Sequence, residues 1–177
     1  MNLEEKIHQT LIDVPDFPRP GILFKDITPL FQNPSLVREM VATAKAQLLP
    51  LQVDVVVGLE SRGFPLGCAL AMEMNLPFVM IRKKGKLPRP TLQYHYDLEY
   101  GQATVEIQKE DIKAGQRVFI HDDLLATGGT AAAAAALIQE AGGIVAGFGF
   151  IVTLDFLAGK EKLNSFGVPV HTFAHVQ

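Results

Sequence analysis

The stretch VFIHDDLLATGGTAAAAAALIQEAGG, residues 118–143, decides the fold. Val118, Phe119 and Ile120 form a short apolar run of the kind a buried strand shows. The six alanines from Ala131 to Ala136, followed by Leu137 and Ile138, predict a closely packing helix that ends at Gly142 and Gly143. Between them stand two aspartates and a Thr-Gly-Gly-Thr. Strand, acidic and glycine-containing loop, then helix is the unit from which parallel sheets are built.

Reading outward, the same alternation recurs. Leu3, Ile7 and Leu11 have helical spacing before Pro15. Three prolines and a glycine predict a shaped loop over 16–31 rather than a regular element. A helix is expected over 33–49, with Asn33 or Ser35 near its cap and Pro34 in the first turn. VDVVVGL (53–59) reads as a buried strand, GFPLGCALAMEMN (63–75) as a helix closing at Asn75, and PFVMIR (77–82) as the next strand. The segment after Lys83 is basic and punctuated by Gly and Pro, and it ends in the alternating Ala103, Val105 and Ile107 of a hairpin. IVAGFGFIVTL (144–154) reads as a strand, FLAGKEKL (156–163) as a short helix and VPVHTFAHV (168–176) as a last strand. The expected fold is α/β, a single domain over 1–177 with a mostly parallel central sheet flanked by helices.

The bulk numbers agree. The chain has 177 residues, 48% hydrophobic and 20% charged, with a formal net charge of -3. That is enough for one real core, and no global field draws the chain to nucleic acid or an acidic membrane. Cys68 is the single cysteine, so neither an intrachain disulfide nor a cysteine zinc site is expected. It reads as a buried small apolar residue. No apolar run reaches about 18 residues and the N-terminus, with Glu4 and Glu5, does not resemble a signal peptide. A cytoplasmic protein is expected. His171 and His175, four apart in a strand, would be too far apart to share a metal ion. Asp155 is a helix-start candidate.

Ligands of open parallel sheets bind beyond the carboxyl ends of the strands. The loop placed here at 122–130 leaves that edge. Gly128 and Gly129 let the backbone approach a ligand, and the helix behind them presents free N–H groups and the positive end of its dipole. With Thr127 and Thr130 as hydroxyl donors, the loop reads as a phosphate cradle. Asp122 and Asp123 would repel a phosphate but can accept hydrogen bonds from sugar hydroxyls, so a ribose 5-phosphate along the loop explains both halves. The competing reading is a turn capped by Thr127 or Thr130 with solvated aspartates. GLESRGFP (58–65) has P-loop glycine spacing but Phe-Pro where Lys-Ser/Thr is needed, and no G-x-G-x-x-G occurs.

VFIHDDLLATGGT resembles the phosphoribosyl-diphosphate (PRPP) signature of the type I phosphoribosyltransferases. FPRPGILFKDITPL (17–30), VGLESRGF (57–64), IRKKGKLPRPT (81–91), LEYGQATVEIQ (98–108) and DDLLATGGT (122–130) stand in the order of that family's adenine-using members. The resemblance thins after about residue 165.

It implies a purine-salvage enzyme making AMP and pyrophosphate from adenine and PRPP. It further implies Mg2+ held mainly through PRPP with no dedicated protein ligand, an oxocarbenium-like transition state and a homodimer. Residues 1–32 would form a base-binding hood and 83–107 a flexible catalytic loop. PRPP and AMP would lie on Asp122, Asp123, Ala126, Thr127, Gly128, Gly129 and Thr130. Pyrophosphate would lie on Ser61, Arg62, Arg82 and Lys86, with Arg82 reaching across the dimer in the family's pattern and a tight, cis-capable peptide at Glu60-Ser61. Five of the eight residues from Arg82 to Arg89 are basic, and Lys83, Lys84 and Arg89 are expected to stay solvated. Phe24 would stack on adenine while the Leu23 and Lys25 backbone reads its edge, the alternative being that Leu23 and Phe24 are core. Lys25 stands where relatives commonly carry arginine. Glu99 would handle the purine proton, with Tyr100 positioning the loop, though a Glu-Tyr in a hairpin is also ordinary surface.

A 6-oxopurine or orotate enzyme would share the PRPP loop, but no lysine and aromatic pair suited to a 6-oxopurine stands after residue 145. A PRPP-binding regulator of nucleic acid would need an appended binding module, for which this chain has little room. No nucleic-acid or membrane partner is expected.

Overall fold

The structure is a computed structural model and describes residues 1–98 and 101–177. Its centre is a seven-stranded sheet in the order β5-β6-β4-β3-β7-β8-β9. These strands are β3 (Val55–Leu59), β4 (Phe78–Lys83), β5 (Thr91–Leu98), β6 (Gly101–Gln108), β7 (Arg117–Leu125), β8 (Ile144–Leu154) and β9 (Val170–Val176). The pairs among β4, β3, β7, β8 and β9 are parallel, whereas β6 is antiparallel to both β4 and β5. The α/β expectation is therefore met, with the hairpin attached at one edge.

Strand periodicity sorts the core onto two faces. Val55, Val57, Val118 and Ile120 pack on one side with α4 (Gly129–Glu140) and with Leu163 of α5 (Gly159–Asn164). Val56 and Phe119 pack on the other against α2 (Pro34–Leu48) and α3 (Phe64–Met74), joined by Ile7 of α1 (Leu3–Thr10) through a neighbouring apolar cluster. The alanines explain the α4 side, since Ala131, Ala133, Ala134 and Ala135 are buried and let the helix lie close to the strands. Helix ends follow their chemistry. The Asn33 side chain accepts the Leu36 N–H ahead of Pro34, and Asn75 closes α3 in the left-handed conformation.

Three expectations are corrected. Residues 16–31 are not all irregular: β1 (Ile12–Pro15) pairs with β2 (Leu23–Asp26) as an antiparallel two-stranded sheet, and a 3-10 turn spans Thr28–Gln32. The prolines at 18 and 20 lie in the connection, where they cost no ladder hydrogen bond. Cys68 is half-buried rather than core. Asp155 starts no helix, because α5 begins four residues later behind Ala158, and its carboxylate meets His175 Nδ1 at 3.1 Å. Among the described residues no helix is long and apolar enough to cross a membrane.

Candidate active site

Strand β7 carries the site, and it runs further than its sequence suggests. Asp122, Leu124 and Leu125 pair with Phe150, Val152 and Thr153 of β8, so the two aspartates stand in the strand and the loop shrinks to Ala126–Gly128. The apolar Leu125, 1% exposed, draws the chain on through the acids. Gly128 (φ 75°) then precedes the first turn of α4, and no side chain caps that turn. Neither Thr127 nor Thr130 acts as the cap, which leaves the helix N–H groups available to an anion. Residues Asp122 and Leu124–Ala131 line a cleft of about 80 Å³ there.

Beside it opens a pocket of about 430 Å³ that gathers Glu60, Ser61, Arg62, Arg82, Lys83, Tyr96, Asp122, Asp123 and Thr130. Five predicted residues from three separate motifs thus meet at one strand edge with the loop's Thr130. The peptide Glu60-Ser61 is cis. Arg62 Nε lies 2.6 Å from Asp123 Oδ2, and its guanidinium stands 5.0 Å from the centre of the Phe24 ring. One cation therefore links the acid pair to the N-terminal segment. Phe24 is half-buried with Phe17 edge-on at 5.0 Å, and Leu23 is 55% exposed, so Leu23 is not a core residue. Lys25 bonds Asp13 across β1 and β2 at 2.5 Å, which gives its side chain a structural partner.

The acid pair is electrostatically unequal. Burial, then the charge of Asp123 and a hydrogen bond to it, push the Asp122 pKa well above the usual carboxylate range. Asp123 is buried and answered by Arg62. Behind them His121, 3% exposed, is pushed down to a pKa of about 4 by burial, against the opposing charge of Asp123 and a Gly149 backbone hydrogen bond.

On the opposite wall, Arg82 donates to both Glu60 oxygens at 3.3 Å and to the Lys86 carbonyl at 3.3 Å, and the Lys83 N–H donates to Glu60 at 2.8 Å. Burial raises the Glu60 pKa, but these bonds and the charges of Arg82 and Lys86 hold it below its ordinary value. Lys83 and Arg89 are exposed, as expected, though Lys83 also lines the pocket and Arg89 pairs with Asp111 at 2.6 Å. Lys84 is exposed. Glu99 and Tyr100 lie outside the described residues.

Sequence reasoning missed Glu60, Tyr96 and Gly159. Tyr96 Oη lies 3.1 Å from Thr130 Oγ1. Gly159 packs so tightly under the loop that a Cβ there would sit 2.2 Å from the Ala126 carbonyl oxygen. Only the alternation of Tyr94 and Tyr96 in the hairpin offered a signal. Among the described residues no group of three or more His, Cys, Asp or Glu could hold a metal.

A strand-end phosphate cradle with an acid pair and facing cations is the architecture of a phosphoribosyl-transfer domain, and the family described as "Phosphoribosyl transferase domain" matches residues 27–165. The adenine phosphoribosyltransferase of Cytophaga hutchinsonii is 50% identical over 164 residues, 93% of this chain and 91% of that one. The crystal structure of adenine phosphoribosyltransferase from Rhodothermus marinus superposes with a TM-score of 0.93 at 46% identity, covering 98% of both chains. The Saccharomyces cerevisiae enzyme, complexed with D-2,5-dideoxy-2,5-imino-altritol 1,6-bisphosphate and adenine, gives 0.90 at 41% identity over 97% of this chain and 98% of that one. The chain belongs to the adenine phosphoribosyltransferase family.

Proposed function

We propose that this protein transfers the phosphoribosyl group of PRPP to adenine, giving AMP and pyrophosphate in purine salvage. The observation that carries the reading is the pocket in which the acid pair, Arg62, the cis Glu60-Ser61 peptide and the Arg82 wall converge beside the uncapped start of α4.

In this reading the 5-phosphate rests on Ala126–Thr130, and the ribose hydroxyls donate to Asp122 and Asp123. The diphosphate meets Ser61, Arg62, Arg82 and Lys86, whose charges offset those gathering on the leaving group. N9 of adenine bonds to C1' as the C1'–O bond to pyrophosphate breaks, through an oxocarbenium-like state that the acid pair stabilises. Glu99 takes the purine proton, Tyr100 positions the hairpin, and 83–107 closes over the reactants to exclude water. Adenine stacks on Phe24, and the backbone of Leu23 and Lys25 reads its edge. The 1–32 segment is the base-binding hood of a single domain. Among the described residues β2 pairs with β1 alone, which leaves its other edge without a ladder. Mg2+ would be held mainly through PRPP itself, and an ion arriving with the diphosphate would neutralise charge on the departing oxygens. Assembly as a homodimer in the cytoplasm belongs to the same reading.

The test is pyrophosphate release from PRPP and Mg2+ with adenine, hypoxanthine, guanine and orotate in parallel. Release with adenine alone is expected, and Glu99→Gln should cut turnover sharply with little change in PRPP affinity. Release with another base would overturn the hood assignment. Silence with all four, PRPP still binding, would favour a regulator.

A further inference from the structure

Glu106 of β6 is 2% exposed and lies between the buried Val105 and Ile107. A carboxylate there is costly unless its oxygens are filled. They are. Oε1 accepts the consecutive backbone N–H groups of Gly85 (3.0 Å), Lys86 (3.1 Å) and Leu87 (3.1 Å), and Oε2 accepts from the Thr91 hydroxyl (3.3 Å) and the Gln93 amide (3.4 Å). Three N–H groups converging on one oxygen form an anion-holding nest, here filled from within the chain. The nest fixes the turn that carries Lys86, with Gly85 at φ 83°. Arg82 is tied to the same turn through the Lys86 carbonyl, and it stands opposite Glu106 in the β4–β6 register.

We propose that Glu106 is a positioning residue for diphosphate recognition, acting through Lys86 and Arg82 and not by touching substrate. The proposal rests on the reading that these two cations meet the diphosphate. Without the carboxylate, three consecutive backbone N–H groups lose their shared acceptor and the turn has no single shape. Glutamine keeps the reach and one accepting oxygen, so it should restore most of the function.

The test compares Glu106→Ala, Glu106→Gln, Lys86→Ala and the Lys86→Ala/Glu106→Ala double variant, measuring KM for PRPP, KM for adenine, kcat and thermal midpoint. Misplacing a cation by about 1 Å is a change on the order of 10- to 100-fold. Glu106→Ala should therefore raise KM for PRPP at least about tenfold with adenine KM nearly unchanged, and Glu106→Gln should recover most of that loss. The double variant should fall short of the full product of the two single effects, because part of what Glu106 does is to place Lys86. Where Glu106→Ala does not fold, Glu106→Asp, which keeps the charge but withdraws it from the turn, carries the same expectation. An unchanged PRPP KM in the folded variants overturns the proposal, as do effects that multiply in full in the double variant. An unchanged PRPP KM in Lys86→Ala instead refutes the diphosphate assignment of that lysine.

Discussion

The two walls of the pocket are built by different physics. The β7–α4 wall is made of backbone packed on backbone: Gly159 against the Ala126 carbonyl, Gly128 against Gly159, and Gly63 against the carbonyls of Leu59 and His121. The wall of β4, the 84–88 turn and the hairpin is held by side-chain carboxylates, Glu60 gripping Arg82 and Lys83, and Glu106 gripping the turn. Close packing tolerates almost no displacement, whereas polar anchors can let go and re-form. A phosphate cradle that must present N–H groups at fixed positions suits the first construction. A wall proposed to admit a diphosphate and then close suits the second.

The comparison breaks most visibly at Gly159. Its absent Cβ would lie 2.2 Å from the Ala126 oxygen, a separation no side chain tolerates, so Gly159→Ala must move the loop. Displacement of about 1 Å at a positioning element costs on the order of 100-fold, and that is the loss expected in kcat/KM for PRPP, with circular dichroism showing the fold retained. Pyrophosphate release within a few-fold of the parent would mean the cradle yields as easily as the opposite wall.

The same contrast governs what the sequence made legible. The packed wall announces itself locally, because strand, acids, glycines and helix are contiguous. Even there the strand end was misplaced, since two aspartates read as loop until Leu124 and Leu125 are seen paired with β8. The anchors of the other wall are non-local. Glu106 alternates out of phase with Val105 and Ile107 and so reads as surface; only the fold returns it to the 85–87 turn. Gly159 looks like ordinary helix surface in AGKEKL, because its partner Ala126 belongs to a distant segment. Glu99 and Tyr100 lie outside the described residues, so their roles rest on motif alone.

The packed wall has one polar weak point, which sharpens the contrast. His121 is buried with Nε2 unpartnered and a pKa of about 4. An unfolded histidine titrates near 6.5. As pH falls from about 6.5 to 4, the unfolded chain therefore gains a proton that the folded chain refuses, and stability drops by up to ~3 kcal/mol across that window. The raised pKa of Asp122 acts with the opposite sign, its folded form keeping a proton that the unfolded form gives up. His121→Val removes only the first effect. Urea midpoints measured from pH 7 to 4.5 should fall less steeply for the variant; parallel curves would place the acid sensitivity elsewhere.

The smallest effect is expected where the two walls touch. Tyr96 of the hairpin reaches Thr130 at the start of α4 through a 3.1 Å hydroxyl pair, and its ring already packs against the position of Gly129. Tyr96→Phe deletes the hydrogen bond and leaves that packing in place. A single such bond contributes about 1 kcal/mol net, so kcat/KM for PRPP should fall only about 2- to 5-fold, with the thermal midpoint almost unmoved. The small number follows from the comparison itself. If Glu60 and Glu106 hold the basic wall and backbone packing holds the cradle, each keeps its shape without the other. A loss larger than about 50-fold, more than one hydrogen bond can supply, would show that the cradle depends on the hairpin for its geometry, and the two walls would have to be treated as one cooperative unit.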